Sequence, residues 1–498
     1  MIIKKELSEI LSLLSNLNIS NHSIIWWAFN FTSKNPLSSG FFDTYFHKKK
    51  STFQSPHLKL IKNIIWFFLN LIKSMYLLIQ TYFFFISLEN EKSKINVHLF
   101  SFVDGRKRGN MDTYFRDLIT EIIKSNPKLK VSYLFYVYRP YFRNNSALKF
   151  EKNKKINLLS YLSIKDFFWC FFQLFRIPFL KINFSNLRFK NSKKELNYII
   201  RSQMISEMTT GFIDNLIIFR AFRRISKLGQ IEKIIYPFEN KSLEKLMLLA
   251  LDNIKSVGYQ HSSVSPRHFS LILSKDEIKI NPLPEKIVTI GEITKNWLIN
   301  VGNFPEEIIE TGVYLRGNRT LKLRKRSFDK KNPKLLFVFS SGYDEVKKTI
   351  NFLDKGNEVL DSYKIKFRFH PDFPIYGLNK YYNNWITNNV DSISKKSLNE
   401  ELKWCDILVY ISSSVVIEAI LAKIPVINLS IDIYNSDPLL NKKLSLKKVV
   451  TNNKDFKKAI NYFSEISSKD NIRLYSESIN YIDKYAISKT KLDVKTFL

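Results

Sequence analysis

The sequence predicts an α/β protein of two Rossmann-like domains in tandem, with a helical, aromatic-rich N-terminal extension and an insertion in the first domain. Three observations carry that prediction. From Ile95 onward, short apolar runs rich in valine, isoleucine and aromatics alternate with helix-period segments, the pattern of a parallel sheet covered on both faces. The alternation is interrupted by RGNRTLKLRKRSFDKKNP (316–333), which has almost no apolar residues, and then resumes. The chain has 498 residues, more than one hydrophobic core ordinarily serves.

The elements follow in order. Residues 1–94 read as a helical extension. MIIKKELSEILSLLSNLNIS mixes acids with its apolar residues, so it is expected to be a helix and not a signal peptide. LKLIKNIIWFFLNLIKSMYLLIQTYFFFISL (58–88) places Lys59, Lys62, Asn70, Lys73, Ser74 and Thr81 at helical spacing and leaves a wide apolar face. Lys73 sits mid-segment, where a spanning helix loses roughly 2.5–3.5 kcal/mol. Two readings stay open, a helix lying in a membrane interface and a buried core helix. The aromatic cluster at 166–184 carries the same two readings. Residues 95–325 form the first α/β domain, with strands at INVHLFSFVD, KVSYLFYVY, IEKIIYPFE and SVGYQHSS, then EKIVTIG and EIIETGVYL. A helix is expected over 204–228, and 140–200 reads as a basic, irregular insertion. Residues 326–470 repeat the alternation: KLLFVFSSG, YKIKFRFHPD, CDILVYISSS, VVIEAILAKI, PVINLS. Residues 471–498 are expected to be a helix returning to the first domain. No period of 20–50 residues repeats.

Composition narrows the function. Hydrophobic residues are 45% and aromatics 14% of the chain, which excludes a disordered protein. The net charge of +33 suits an anionic partner: nucleic acid, an acidic membrane face or a phosphorylated substrate. A lysine-rich surface also serves solubility alone. No RNP, KH or zinc-finger pattern is present and the basic residues are dispersed, so nucleic acid is not the expected partner. Cys170 and Cys405 lie far apart in apolar runs, which fits a reducing cytoplasm. No two aspartates stand two apart and no HExxH occurs, so no metal site is expected.

Ligands of open parallel sheets bind beyond the carboxyl ends of the strands. In the second half those positions hold Ser340, Ser341 and Gly342, then Arg368, His370 and Pro371, then Ser412, Ser413 and Ser414. Serines before helix starts suit phosphate, because free N–H groups and the positive helix end converge there. Glu418 follows Ser414 by one helical turn, where a carboxylate accepts hydrogen bonds from sugar hydroxyls. An ordinary N-cap accounts for one serine of the three, at about 1 kcal/mol.

FRFHPD followed by DILVYISSSVVIEAILAKIPVI resembles the donor half of GT-B glycosyltransferases of bacterial surface polysaccharides. It is similar in particular to the sialyltransferase, polysialyltransferase and CDP-glycerol transferase groups. YPFENKSLEKLMLLAL, VGYQHSSVSP, KIVTIGEITKNWLINVGNFPEEIIETGVYLRG and WWAFNFTSKNPLSS resemble the acceptor half. The resemblance implies that His370 and Ser412 to Ser414 bind donor phosphates and that Glu418 contacts ribose or sugar. It implies a base on the first domain if the reaction inverts, with Asp104, Glu239 and His261 as candidates. Arg316 or Arg368 would offset diphosphate charge. It implies no cofactor beyond the nucleotide-sugar co-substrate, a lipid-linked or growing glycan as acceptor, and a cytoplasmic, peripheral place on the anionic inner face of the plasma membrane. A glycerophosphate transferase or a UDP-sugar 2-epimerase on the same fold, or a nucleic-acid-binding protein, are the alternatives.

Overall fold

The computed structural model describes residues 2–35, 56–88, 95–103, 112–145, 155–184, 193–229, 231–266, 268–316, 332–340, 342–356, 362–371, 373–431 and 437–498. The apolar runs form two parallel sheets. The first joins β1 (Val97–Val103), β2 (Val131–Val137), β3 (Lys155–Asn157), β4 (Lys233–Pro237), β5 (Lys255–Gln260), β6 (Lys286–Thr289) and β7 (Ile309–Thr311) in the order β3-β2-β1-β4-β5-β6-β7. The second joins β8 (Lys334–Val338), β9 (Lys364–Arg368), β10 (Ser392–Ile393), β11 (Ile407–Tyr410), β12 (Val426–Leu429) and β13 (Lys447–Val450) in the order β10-β9-β8-β11-β12-β13. VSYLFYV of β2 and ILVY of β11 are buried along their whole length, as strands covered on both faces must be. The arrangement is the predicted pair of Rossmann-like domains in tandem.

The helices that matter to function are α1 (Ile2–Ser20), α2 (Pro56–Ile86), α3 (Leu118–Ser125), α4 (Ile164–Arg176), α5 (Lys193–Glu207), α6 (Thr210–Leu228), α7 (Ser242–Ala250), α8 (Glu292–Asn300), α9 (Tyr343–Asp354), α10 (Val415–Leu421) and α11 (Ser468–Tyr485). The stretch 204–228, expected as one helix, divides between α5 and α6. Thr209 adopts ψ −133°, outside the helical region, where two threonines and a glycine lower helix propensity together. The stretch 140–200, expected as irregular, holds all of α4 and the start of α5. Ser163 and Asp166 cap α4 reciprocally, and Asp166 also pairs with Arg220 and Arg224 of α6 at 2.5 and 2.8 Å.

The C-terminal segment closes the two sheets onto one core. Tyr485 at the end of α11 meets Val264, and its carbonyl lies 2.4 Å from where a Cβ on Gly291 would stand, so only glycine fits there. Ile487 then takes a backbone bond from Tyr314 and gives one to Ile290, both 2.9 Å. Phe497 packs on Tyr259 at 5.6 Å. One cluster of buried side chains therefore runs from Tyr259 and Val288 in the first sheet to Leu408 of β11 and Val416 of α10 in the second domain. Each large apolar side chain in it contributes about 1.5–3 kcal/mol. That shared core holds the carboxyl edges of the two sheets in a fixed relation.

Candidate active site between the two sheet edges

Strand register aligns the second-domain positions. Val338 pairs with both Arg368 and Tyr410, so Ser340, His370 and Ser412 each lie two residues past one row. Ser340 Oγ and Ser412 Oγ are 2.7 Å apart. Ser340 through its backbone and Ser412 through its side chain also meet the buried carboxylate of Glu345 in the first turn of α9. It accepts the Ser340 N–H at 3.0 Å and the Ser412 hydroxyl. These two hydroxyls are thus engaged within the protein. Ser413 is buried, whereas Ser414 starts α10, is exposed and makes no side-chain cap bond. Gly342 caps α9 at φ +108° and ψ 150°, a conformation that essentially only glycine holds.

After β9, Phe373 and Pro374 fold onto the start of α9. Phe373 packs against Tyr343 edge-on at 5.4 Å, and the Tyr343 hydroxyl donates to the Pro374 carbonyl at 2.9 Å. His370 sits just after β9, half-buried and 6.2 Å from the Phe373 ring, with Pro371 exposed beside it. Arg368 turns the other way. Its Nη1 donates to Ser394 Oγ at 3.0 Å and to the Lys396 carbonyl at 2.8 Å, which ties β9 to the loop after β10. Ser341 and Asp104 lie outside the described residues.

On the first domain, register again brings candidates together. Pro237 pairs with Tyr259, so Glu239 and His261 stand one row further on, with Glu239 Oε1 3.5 Å from His261 Nε2. Lys241 grips the other carboxylate oxygen. Burial pushes the Glu239 carboxyl up, but the Lys241 ammonium and the nearby His261 outweigh it and bring its pKa down to about 2. Burial pulls the His261 imidazole down to about 3, helped by the Arg316 guanidinium and opposed by Glu239, so the ring is neutral near pH 7. Glu244 holds the turn itself, accepting the N–H groups of Glu239 and Asn240 at 2.9 and 2.8 Å. Burial raises its carboxyl to about 8.

The segment leaving β7 joins the two rims. Tyr314 donates its hydroxyl to Glu418 Oε1 at 2.7 Å. Arg316 donates from Nε to the Thr113 carbonyl at 3.0 Å and lies over the Tyr114 ring at 5.1 Å. The Tyr114 ring stands edge-on to His261 at 4.8 Å. Arg316 is therefore electrostatically coupled to His261 on one domain and to Glu418 on the other. Glu418 Oε2 is buried and, among the described residues, has no hydrogen-bond partner. Burial raises the Glu418 carboxyl, while the Tyr314 bond and the cations Arg316 and Arg116 draw it back.

Sequence reading missed Tyr114, Lys241, Tyr314 and Glu345. Lys241 carried a signal, a cation two residues after Glu239. Glu345 carried one too, an acid in the first turn after a glycine cap. Tyr114 and Tyr314 carried none, because their roles depend on partners far away in sequence. In chemical terms the site offers an ionised carboxylate, a neutral imidazole, the guanidinium groups of Arg316 and Arg116, and the Glu418 carboxylate with its buried Oε2.

No known family profile and no curated protein matches the chain. Among solved structures it is similar to Anabaena Alr3699/HepE in complex with UDP and glucose, at 12% identity and TM-score 0.44 over 81% of this chain and 97% of that one. It is similar to the lipopolysaccharide outer core galactosyltransferase WaaB in its apo form, at 12% and 0.43 over 78% and 98%. It is similar also to UDP-GlcNAc 2-epimerase from Neisseria meningitidis bound to UDP-GlcNAc, at 11% and 0.45 over 78% and 97%.

Proposed function

We propose that the protein is a glycosyltransferase of surface-polysaccharide synthesis. It moves a sugar from a nucleotide-activated donor on the second domain to a lipid-linked or growing glycan on the first. The observation that carries this is the Glu418 oxygen, buried without a partner among the described residues, which Tyr314 and Arg316 join to Glu239 and His261. A buried acceptor left unpaired costs about 1–3 kcal/mol, and a ligand hydroxyl placed there recovers it. The finer likeness to the sialyl-, polysialyl- and CDP-glycerol transferase groups rests on the His-Pro and Ser-Ser blocks.

In this reading Glu418 Oε2 accepts a hydroxyl of the donor ribose or sugar. The Gly342 turn, Ser414 and His370 face the donor phosphates. Arg316 compensates the charge that develops as the bond from sugar to phosphate breaks and the nucleotide leaves. Glu239 takes the proton from the acceptor hydroxyl as it attacks. The Lys241 contact holds Glu239 a weak base, so an acceptor that displaces Lys241 raises its proton affinity. Arg368 has no part here, since it is spent on Ser394 and Lys396.

A thermal-shift panel of UDP, GDP, CMP, CDP and dTDP tests the reading, with one nucleotide expected to raise the melting temperature. Glu418→Ala and His370→Ala should each abolish that shift in a folded protein. Retention of the shift by both variants would refute the assignment. NMR of the matching nucleotide sugar then separates transfer from 2-epimerisation, and a response to CDP alone would favour glycerophosphate transfer.

A further inference from the structure

We propose that α2 and α4 together form a surface that docks the protein on an anionic lipid bilayer, with α2 lying in the plane of the interface. The two helices are one surface. Phe167 of α4 packs against Tyr82 and Phe85 of α2, each at 5.4 Å. Outward from that seam, Ile65, Phe68, Ile72 and Phe83 recur at three- and four-residue spacings and their multiples along α2, and Phe168 and Phe172 continue the patch on α4. Each of these exposes more than half of its surface, up to 65% for Ile72. An apolar face of this extent on a folded protein marks a contact with something apolar.

The opposite side of α2 decides its orientation. Asn70 donates to the Ile205 carbonyl at 2.9 Å, Ser74 to the Met208 carbonyl, and Thr81 shares a hydrogen with Tyr141 at 2.8 Å. These ties extend over three turns and fix the helix flat against the domain. Residues 61–86 are long and apolar enough to cross a bilayer, but crossing would break all of these contacts. The helix is thus half core and half surface, which joins the two readings its sequence left open. Thr81 also takes a bond from Arg139, just past β2, at 3.1 Å. The docking face therefore adjoins the same sheet edge that carries Glu239 and His261.

Charge selects the occupant. Lys62 and Lys73 on α2, and Lys165 and Arg176 on α4, are exposed. Neither helix carries an acid other than Asp166, which is buried and paired with Arg220 and Arg224. A second copy docked face to face would set cations against cations. Lipid phosphates complement them, and the aromatic side chains fill the boundary between headgroups and acyl chains.

The test is sedimentation of the full-length protein with extruded vesicles of phosphatidylcholine, with and without about 30% phosphatidylglycerol. Binding is expected to the anionic vesicles and to be about tenfold weaker to the neutral ones or in high salt. Ile65→Ser/Ile72→Ser/Phe168→Ser should lower the partition coefficient about tenfold or more while the melting curve and the nucleotide-induced shift stay those of wild type. Lys62→Glu/Lys73→Glu should remove the preference for anionic lipid. The proposal is overturned if wild type fails to bind, if the triple variant binds equally, or if neutral and anionic vesicles bind alike. It is also overturned by a concentration-dependent dimer that the triple variant abolishes. Because the nucleotide shift is read separately, failure here leaves the reading of the cleft standing.

Discussion

Replacing Glu418 by glutamine should stabilise the protein and weaken its ligand binding at once. Burial raises the Glu418 carboxyl, and among the described residues Oε2 has no hydrogen-bond partner, while Tyr314 satisfies Oε1 at 2.7 Å. Glutamine keeps an oxygen for Tyr314 and removes the buried charge. With the unpaired oxygen costing about 1–3 kcal/mol, and part of that returned by Arg316 and Arg116, the variant should gain about 1 kcal/mol near pH 7.5. For a chain of 498 residues that is a rise in melting temperature of about 1 °C. The sign follows from proton binding. The folded state holds the Glu418 proton more tightly than the unfolded chain, so this group lowers stability as pH rises above the ordinary glutamate value. Wild type and Glu418→Gln should therefore converge below that value and separate above it. Thermal melts at pH 4, 5.5 and 7.5 measure the gap, and a nucleotide titration measures the loss of binding. A variant less stable than wild type at pH 7.5, a gap independent of pH, or an unchanged nucleotide response would each refute the reasoning.

Other consequences concern neighbouring parts of the fold. His261 has its pKa lowered to about 3 on folding, so the unfolded chain binds more protons there. Wild-type stability should fall as pH drops from the ordinary histidine range toward 3, and His261→Gln should flatten that limb in pH-dependent melts. Gly342→Ala forces a side chain into φ +108°, which costs about 1–3 kcal/mol and should displace the turn before α9, read as a weaker nucleotide shift. Lys34 pairs with Glu277 at 2.6 Å with both side chains buried, and Ser15 and Asn18 add bonds to the same carboxylate. Lys34→Met should cost about 3–5 kcal/mol in urea unfolding by stranding that carboxylate, and Lys34→Met/Glu277→Leu should recover much of the loss.

Much of the fold was legible because its signals are local. KLLFVF, KIKFRF and ILVY declare buried strands by composition alone, and the sheet they form follows from their alternation with helices. The positions at the strand ends were legible for the same reason. The chemistry at those positions was less so. Ser340 and Ser412 read as phosphate ligands, but their hydroxyls meet each other and the Ser412 hydroxyl also meets Glu345, which sequence spacing does not reveal. Arg368 read as a diphosphate partner, yet the nearest acceptors for a side chain at the end of β9 lie on the loop after β10. The face of α2 read as either core or membrane surface, because periodicity shows that a helix has two sides without showing what covers each.

The amino-acid sequence alone determined two α/β lobes and which strand ends carry hydroxyls, imidazoles and carboxylates. Those properties follow from residues near one another along the chain. Tertiary structure decided that Glu418 meets Tyr314, separated by 104 residues, and that Arg316 reaches toward both domains. It also decided that the last helix locks the two sheets into one core. Such pairings depend on strand order and on where each loop delivers its side chain, and a buried charge takes its proton affinity from those neighbours and not from its own residue type.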